Sequence, residues 1–232
     1  MSKILTFLFA ITTSLFYAQS VNAKIIYGDV VLNTQAQVDA FNATEVDGTI
    51  TITGASITNL NGLSELTKCQ SLIVFNNPAL TSIIGLASLE EVEKSFVIRS
   101  NGALVHLVGL SSLTTVGTAA PDALIIENND NMVDIDGLFS LIFAHTLRIS
   151  GNAKLADVDG LSALEEVVDF FTITDNPLLT NLNGLSNFTS LSSQSGYLMI
   201  ANNDALTSIS GLSNLSHLPG LIVQNNLLLS NL

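Results

Sequence analysis

The side chains best placed to do chemistry are four aspartates. Asp134 and Asp136 precede one Gly-Leu pair, and Asp157 and Asp159 precede the next, 23 residues on. If successive segments stack at the inter-strand distance of about 4.8 Å, Asp134 lies beside Asp157 and Asp136 beside Asp159, with Asp130 and His106 close by. Calcium takes several oxygen ligands of this kind, and crowded carboxylates raise one another's pKa, the basis of acid–base pairs. The stretch lacks the dense D-x-D-x-D-G loop of dedicated calcium sites. The expectation is therefore a solvated acidic face, with calcium at Asp134, Asp136, Asp157 and Asp159 as the alternative. The sequence contains no G-x-S-x-G elbow, phosphate-binding loop or H-E-x-x-H helix, so no catalytic residue and no other cofactor is expected. His145 and His217 sit near segment ends and read as polar surface. Cys69, just ahead of an apolar run, reads as a buried thiol.

The elements that must position these groups repeat along the chain. Gly-Leu recurs at Gly62, Gly85, Gly109, Gly137, Gly160, Gly184 and Gly211, at intervals of 23 to 28 residues. Eight residues before the last six stand Asn77, Asn101, Asn129, Asn152, Asn176 and Asn203, and Asn226 continues the series. Large apolar residues lie five and three before each asparagine, as in Leu147 and Ile149. The full pattern is L-x-I-x-x-N-x-x-L-x-x-I-x-G-L-x-x-L. The L-x-I step alternates as a short strand does. One such segment cannot bury its apolar side alone, so segments must stack around a shared core. Each asparagine falls where a strand has to turn, and its amide can both donate and accept along the stack. The seven are expected to form an internal ladder, with each glycine supplying a backbone angle that other residues avoid.

These rows resemble leucine-rich repeats. They are most similar to the receptor L-domain type found in growth-factor-receptor ectodomains, fungal wall proteins and bacterial exported proteins. The resemblance spans about residues 47–232. It implies an all-β, right-handed β-solenoid of about eight stacked turns and a role in surface recognition. The chain lacks the cysteines of the animal receptor versions, which places it with the bacterial group.

The ends read differently. Residues 1–23 resemble a secretory signal peptide, with Lys3 ahead of the apolar run from Ile4 to Ala18 and Val21-Asn22-Ala23 as the cleavage site. Residues 24–48 combine opening strands at Ile25–Tyr27 and Val30–Leu32 with a short capping helix, Gln35 to Phe41. That helix is introduced by the capping box of Thr34 and Gln37. The repeat solenoid, 49–232, breaks off inside a repeat, so further C-terminal domains are expected.

Composition narrows the function. The chain has 232 residues, 47% hydrophobic and 12% charged, with a net charge of −13 and one cysteine. It is too apolar for a disordered chain and too acidic to displace counterions from nucleic acid. One cysteine excludes an internal disulfide. After leader cleavage no segment is apolar enough to span a membrane. The expectation is a secreted or cell-surface module that recognises an extracellular protein or glycan without catalysis. An ice-binding solenoid would need regular threonine rows. Thr49, Thr51 and Thr53 begin one, but Ile73, Phe75, Val97, Arg99, Arg148 and Ser150 break it. A polysaccharide-acting enzyme is less well matched. Longer intervals at Thr115–Asp122 and Leu191–Gly196 mark insertions, which in repeat proteins map to one face. Asn42, Asn187 and Asn214 head glycosylation sequons.

Overall fold

The computed structural model describes residues 23–230. The expected signal peptide lies outside the described residues apart from Ala23. The L-x-I segments form strands that pair in parallel and in register: Lys68–Phe75, Phe96–Arg99, Leu124–Glu127, Leu147–Ser150, Phe170–Thr174, Tyr197–Ala201 and Leu221–Gln224. Leu72, Phe96, Leu124, Leu147, Phe171, Leu198 and Leu221 face one another across successive strands. A second series of two-residue strands, from Glu91–Val92 to Ser190–Leu191, stacks Val92, Val116, Ala144, Val167 and Leu191 in the same way. The two series merge in the eight-residue strands Glu45–Ile52 and Lys68–Phe75, making one large parallel sheet wrapped around the core. The fold is β-rich and solenoid-like.

The repeated rows are the core. Leu72 and Val74, Phe96 and Ile98, Leu147 and Ile149, and Phe171 and Ile173 are all fully buried, as are Leu80, Leu104, Leu155 and Leu179 on the other side. Phe188 meets Phe171 edge to face, ring centroids 5.4 Å apart at 89°, an arrangement aromatic quadrupoles favour.

Most of the Gly-Leu pairs form short 3-10 helices, such as Asp136–Leu138 and Asp159–Leu161. They differ from expectation in one way: backbone angle is not why glycine recurs. Of the seven recurrent glycines only Gly109 has a positive φ, +125°, and its repeat is one without the helix. The common reason is close approach. A Cβ at Gly85, Gly137, Gly160, Gly184 or Gly211 would run into the backbone carbonyl of the preceding repeat, at Leu60, Leu107, Ile135, Val158 and Leu182 respectively.

The amino-terminal end is closed as anticipated, by a helix somewhat shorter than expected, Gln35–Asp39. Thr34 Oγ1 accepts from the Gln37 N–H, and Gln37 Oε1 accepts from the Thr34 and Asn33 N–H groups at 3.2 and 2.8 Å. Val38 and Phe41 bury against the first core layer. Both opening strands pair with Glu45–Ile52. In the last repeat Ile209, Leu212, Leu215, Leu218 and Val223 are only partly buried, whereas their counterparts Leu182, Leu185, Phe188, Leu191 and Ile200 are fully so. No helix among the described residues is long and apolar enough to cross a membrane.

Candidate functional site

The asparagine series is an internal hydrogen-bond ladder. Asn77, Asn101, Asn129, Asn152, Asn176 and Asn203 are fully buried. Each Oδ1 from Asn101 to Asn226 accepts the backbone N–H of the preceding ladder asparagine at 3.0–3.1 Å. Asn77 Oδ1 takes the Gly54 N–H instead. Each Nδ2 donates to a strand carbonyl of the preceding repeat, as Asn152 does to Ile126 at 3.0 Å. The residue before each ladder asparagine is left-handed: Asn76, Ser100, Asn128, Gly151, Asp175, Asn202 and Asn225 have φ between 53° and 68°. Glycine, asparagine and aspartate tolerate that region best, so the enrichment of these types ahead of each ladder asparagine was a legible signal that sequence reading missed.

The aspartate patch is also largely structural. Asp134 Oδ1 accepts the N–H of Asp136 at 3.4 Å, and Asp157 Oδ1 that of Asp159 at 3.1 Å. Each thereby satisfies the first N–H of a 3-10 helix. Asn59, Ser82, Asn181 and Ser208 do the same at equivalent positions. His106 occupies this register in the repeat without the helix, and its Nδ1 instead lies 2.6 Å from Asp134 Oδ2. Among the described residues no group of three or more His, Cys, Asp or Glu side chains comes together to hold a metal ion. The calcium alternative finds no converging ligand set among the described residues, and two of its four carboxylates, Asp134 and Asp157, turn toward backbone N–H groups.

The four aspartates still sense one another. Partial desolvation, then Asp134, Asp157 and Asp159, push the Asp136 carboxyl above its ordinary range. The folded state thus binds that proton more tightly than the unfolded chain, and the charged form subtracts stability at neutral pH, a penalty relieved as pH falls through the carboxylate range. Asp136→Asn is expected to raise the urea midpoint slightly at pH 7, by under about 0.5 kcal/mol for so exposed a site, and to have no effect at pH 3. A loss of stability at pH 7 would contradict this.

Two other groups are placed by burial. Cys69 is buried in the strand Lys68–Phe75, and desolvation, with Glu93 nearby, pushes its thiol up to about 12. Because the thiolate is the nucleophile, Ellman's reagent at pH 8 is expected to leave native protein unlabelled and to titrate one thiol after unfolding. His145 departs from its surface expectation and is only 7% exposed. The insertion at Thr115–Asp122 packs against it, Gly117 lying close to its Cβ. Among the described residues its Nδ1 has no hydrogen-bond partner, and it lies 3.8 Å from Asp169 Oδ2. His217 is exposed, as expected. The second insertion packs Gly196 against the Asp169 carbonyl. Both insertions therefore cover this corner.

The outward face of the long strands is built differently, because its rows do not repeat. Thr51, Ile73, Val97, Ile125, Arg148, Thr172, Met199 and Ile222 follow one another in register. Arg99 stacks 5.0 Å above the Phe75 ring and pairs with Glu127 at 3.6 Å. Further along, Arg148, Thr172, Tyr197 and Met199 line a groove of about 240 Å³, rimmed by Ser150, Thr174, Asp175 and Asn202. Tyr197 packs against Phe170, outside the groove lining, with ring centroids 4.9 Å apart. Asn202 Nδ2 donates to Asp175 Oδ1 at 2.8 Å, and the Ser150 and Thr174 hydroxyls are 2.9 Å apart. Arg148 is exposed and forms no ion pair with another described residue. Lys68, by contrast, is held between Glu91 and Glu93 at 3.1 and 2.8 Å. No protein-family model matches the chain, and a search of curated proteins found no match.

Proposed function

We propose that this chain is an exported recognition module that binds an extracellular protein or glycan through the outward face of its long strands, without catalysis. Its architecture is read as a right-handed solenoid of about eight turns, of the leucine-rich, receptor L-domain type, because its asparagine, glycine and leucine rows take the places a stacked repeat needs. Secretion or display at the cell surface rests on the leader-like residues 1–23.

One observation carries the functional reading. The asparagine, glycine and leucine rows are consumed by the scaffold, while the long-strand face presents an unrepeated mixture of aromatic, apolar and charged side chains on a rigid sheet. Varied side chains on a rigid element are what selective recognition requires. The same irregularity argues against ice binding, which needs identical rows. The test is a glycan and extracellular-protein array, repeated with Val97→Asp/Thr172→Arg on that face and with Asn187→Arg on the exposed Gly-Leu side. The expected result is a ligand whose affinity falls at least about 10-fold for the first variant and stays unchanged for the second. No ligand at all, or one indifferent to the double substitution, overturns the reading.

A further inference from the structure

We infer that the groove around Arg148 and Tyr197 is a subsite for an acidic saccharide, with Arg148 taking a sugar carboxylate and Tyr197, backed by Phe170, taking the apolar face of the ring. The inference rests on the recognition reading above and narrows it to one place and one ligand class.

Charge points to an anion. In a chain of net charge −13, the other arginine of this face is already engaged by Glu127 and Phe75. Arg148 stands between Ile125 and Thr172 in the sheet register and forms no ion pair with a described residue, although Asp175 lines the same groove. A guanidinium offers a planar fork of donors that matches a carboxylate bidentately, and here that fork is unfilled by the protein.

The lining points to a saccharide. The groove sits on the face of the sheet, where strand N–H and C=O groups are consumed by parallel neighbours, so an extended peptide finds no backbone edge to extend. What it offers is hydroxyls at Ser150, Thr172 and Thr174, an acceptor at Asp175 held in place by Asn202, and the Tyr197 ring, itself packed against Phe170. A pyranose presents the complementary set, hydroxyls around its rim and C–H groups on its faces. At about 240 Å³ the groove is below the range of about 300–1,000 Å³ typical of enclosed small-molecule pockets. It suits a single ring of a longer chain.

The experiment is calorimetric titration of the protein with α-1,4-linked trigalacturonic acid and with its methyl ester, in low salt. The acid is expected to bind and the ester to bind at least about 10-fold more weakly. Arg148→Gln should lower affinity for the acid at least about 10-fold and Arg148→Lys less, since lysine keeps the charge but not the fork. Tyr197→Ala should weaken acid and ester alike. Lys154→Gln, an equal change of charge at an exposed site away from the strand face, should leave binding unchanged. Arg148 is exposed, so an unaltered circular dichroism spectrum and melting temperature are expected for its variants. Equal binding of acid and ester, or an Arg148→Gln protein that binds as wild type, overturns the inference. If trigalacturonate fails to bind while the array yields another ligand lost with Val97→Asp/Thr172→Arg, this inference falls and the recognition reading stands. Failure of both removes both.

Discussion

Gly160→Ala is expected to cost at least about 3 kcal/mol of folding stability, at or beyond the upper end for a small overpacking substitution. The added methyl would collide with the Ile135 carbonyl of the preceding repeat and crowd the Asp136 Cα. Both are backbone, so no side-chain rotation relieves the contact, and the repeat must separate from its neighbour or distort its 3-10 helix. Stacked repeats exchange stability mainly with nearest neighbours, so the damage is expected to centre on that junction. Gly102→Ala is the matched control. Nothing lies within 4 Å of a Cβ there and its φ is not in the left-handed region, so alanine should be neutral or slightly stabilising through the unfolded chain. Urea unfolding of the two variants measures the difference. Equal midpoints would show that the recurrent glycine serves some purpose other than close approach.

Asn152→Ala is expected to cost about 3–5 kcal/mol, the range for breaking a buried hydrogen-bond network. Its side chain accepts the Asn129 N–H at 3.1 Å and donates to the Ile126 carbonyl at 3.0 Å, and all three residues are fully buried. Alanine leaves a buried donor and a buried acceptor unmatched and opens a polar void, while neighbours anchored in the same ladder cannot shift to compensate. Asn226→Ala, at the last described rung and only partly buried, removes equivalent bonds where water can replace them, so its cost should be about 1 kcal/mol. Asn187→Ala, exposed and donating to the Ser162 carbonyl, should cost under about 1 kcal/mol. Denaturation midpoints that place the three variants together would remove the ladder from the account of stability.

Much of the scaffold was legible because its constraints are periodic. The strand rows and the ladder follow from residue type at a regular interval, while the capping box at Thr34 and the buried state of Cys69 follow from their local sequence. The capping role of Asp134 and Asp157 was also within reach, since Ser82, Asn181 and Ser208 share their register and are all short side chains with an oxygen to offer the backbone. Reading the aspartates by charge alone drew attention away from that shared chemistry. His145 was not legible. Its burial depends on an insertion one repeat earlier in the stack, and nothing near it in the chain announces that cover.

The amino-acid sequence by itself determined the stacking: which side chains point inward, which asparagines line up, and where the amino-terminal end is closed. It could do so because the first two are local requirements stated again at every repeat, and the third is written in the contiguous capping box of Thr34 and Gln37. Only the tertiary structure decided how close the repeats come, which makes glycine a matter of clearance more than of angle, and which carboxylates turn to backbone N–H groups instead of converging. It also decided that Arg148, Tyr197 and Asp175, drawn from three different strand segments, share one groove. Those outcomes depend on distances between segments more than twenty residues apart, and a distance set by packing has no periodic trace in the chain.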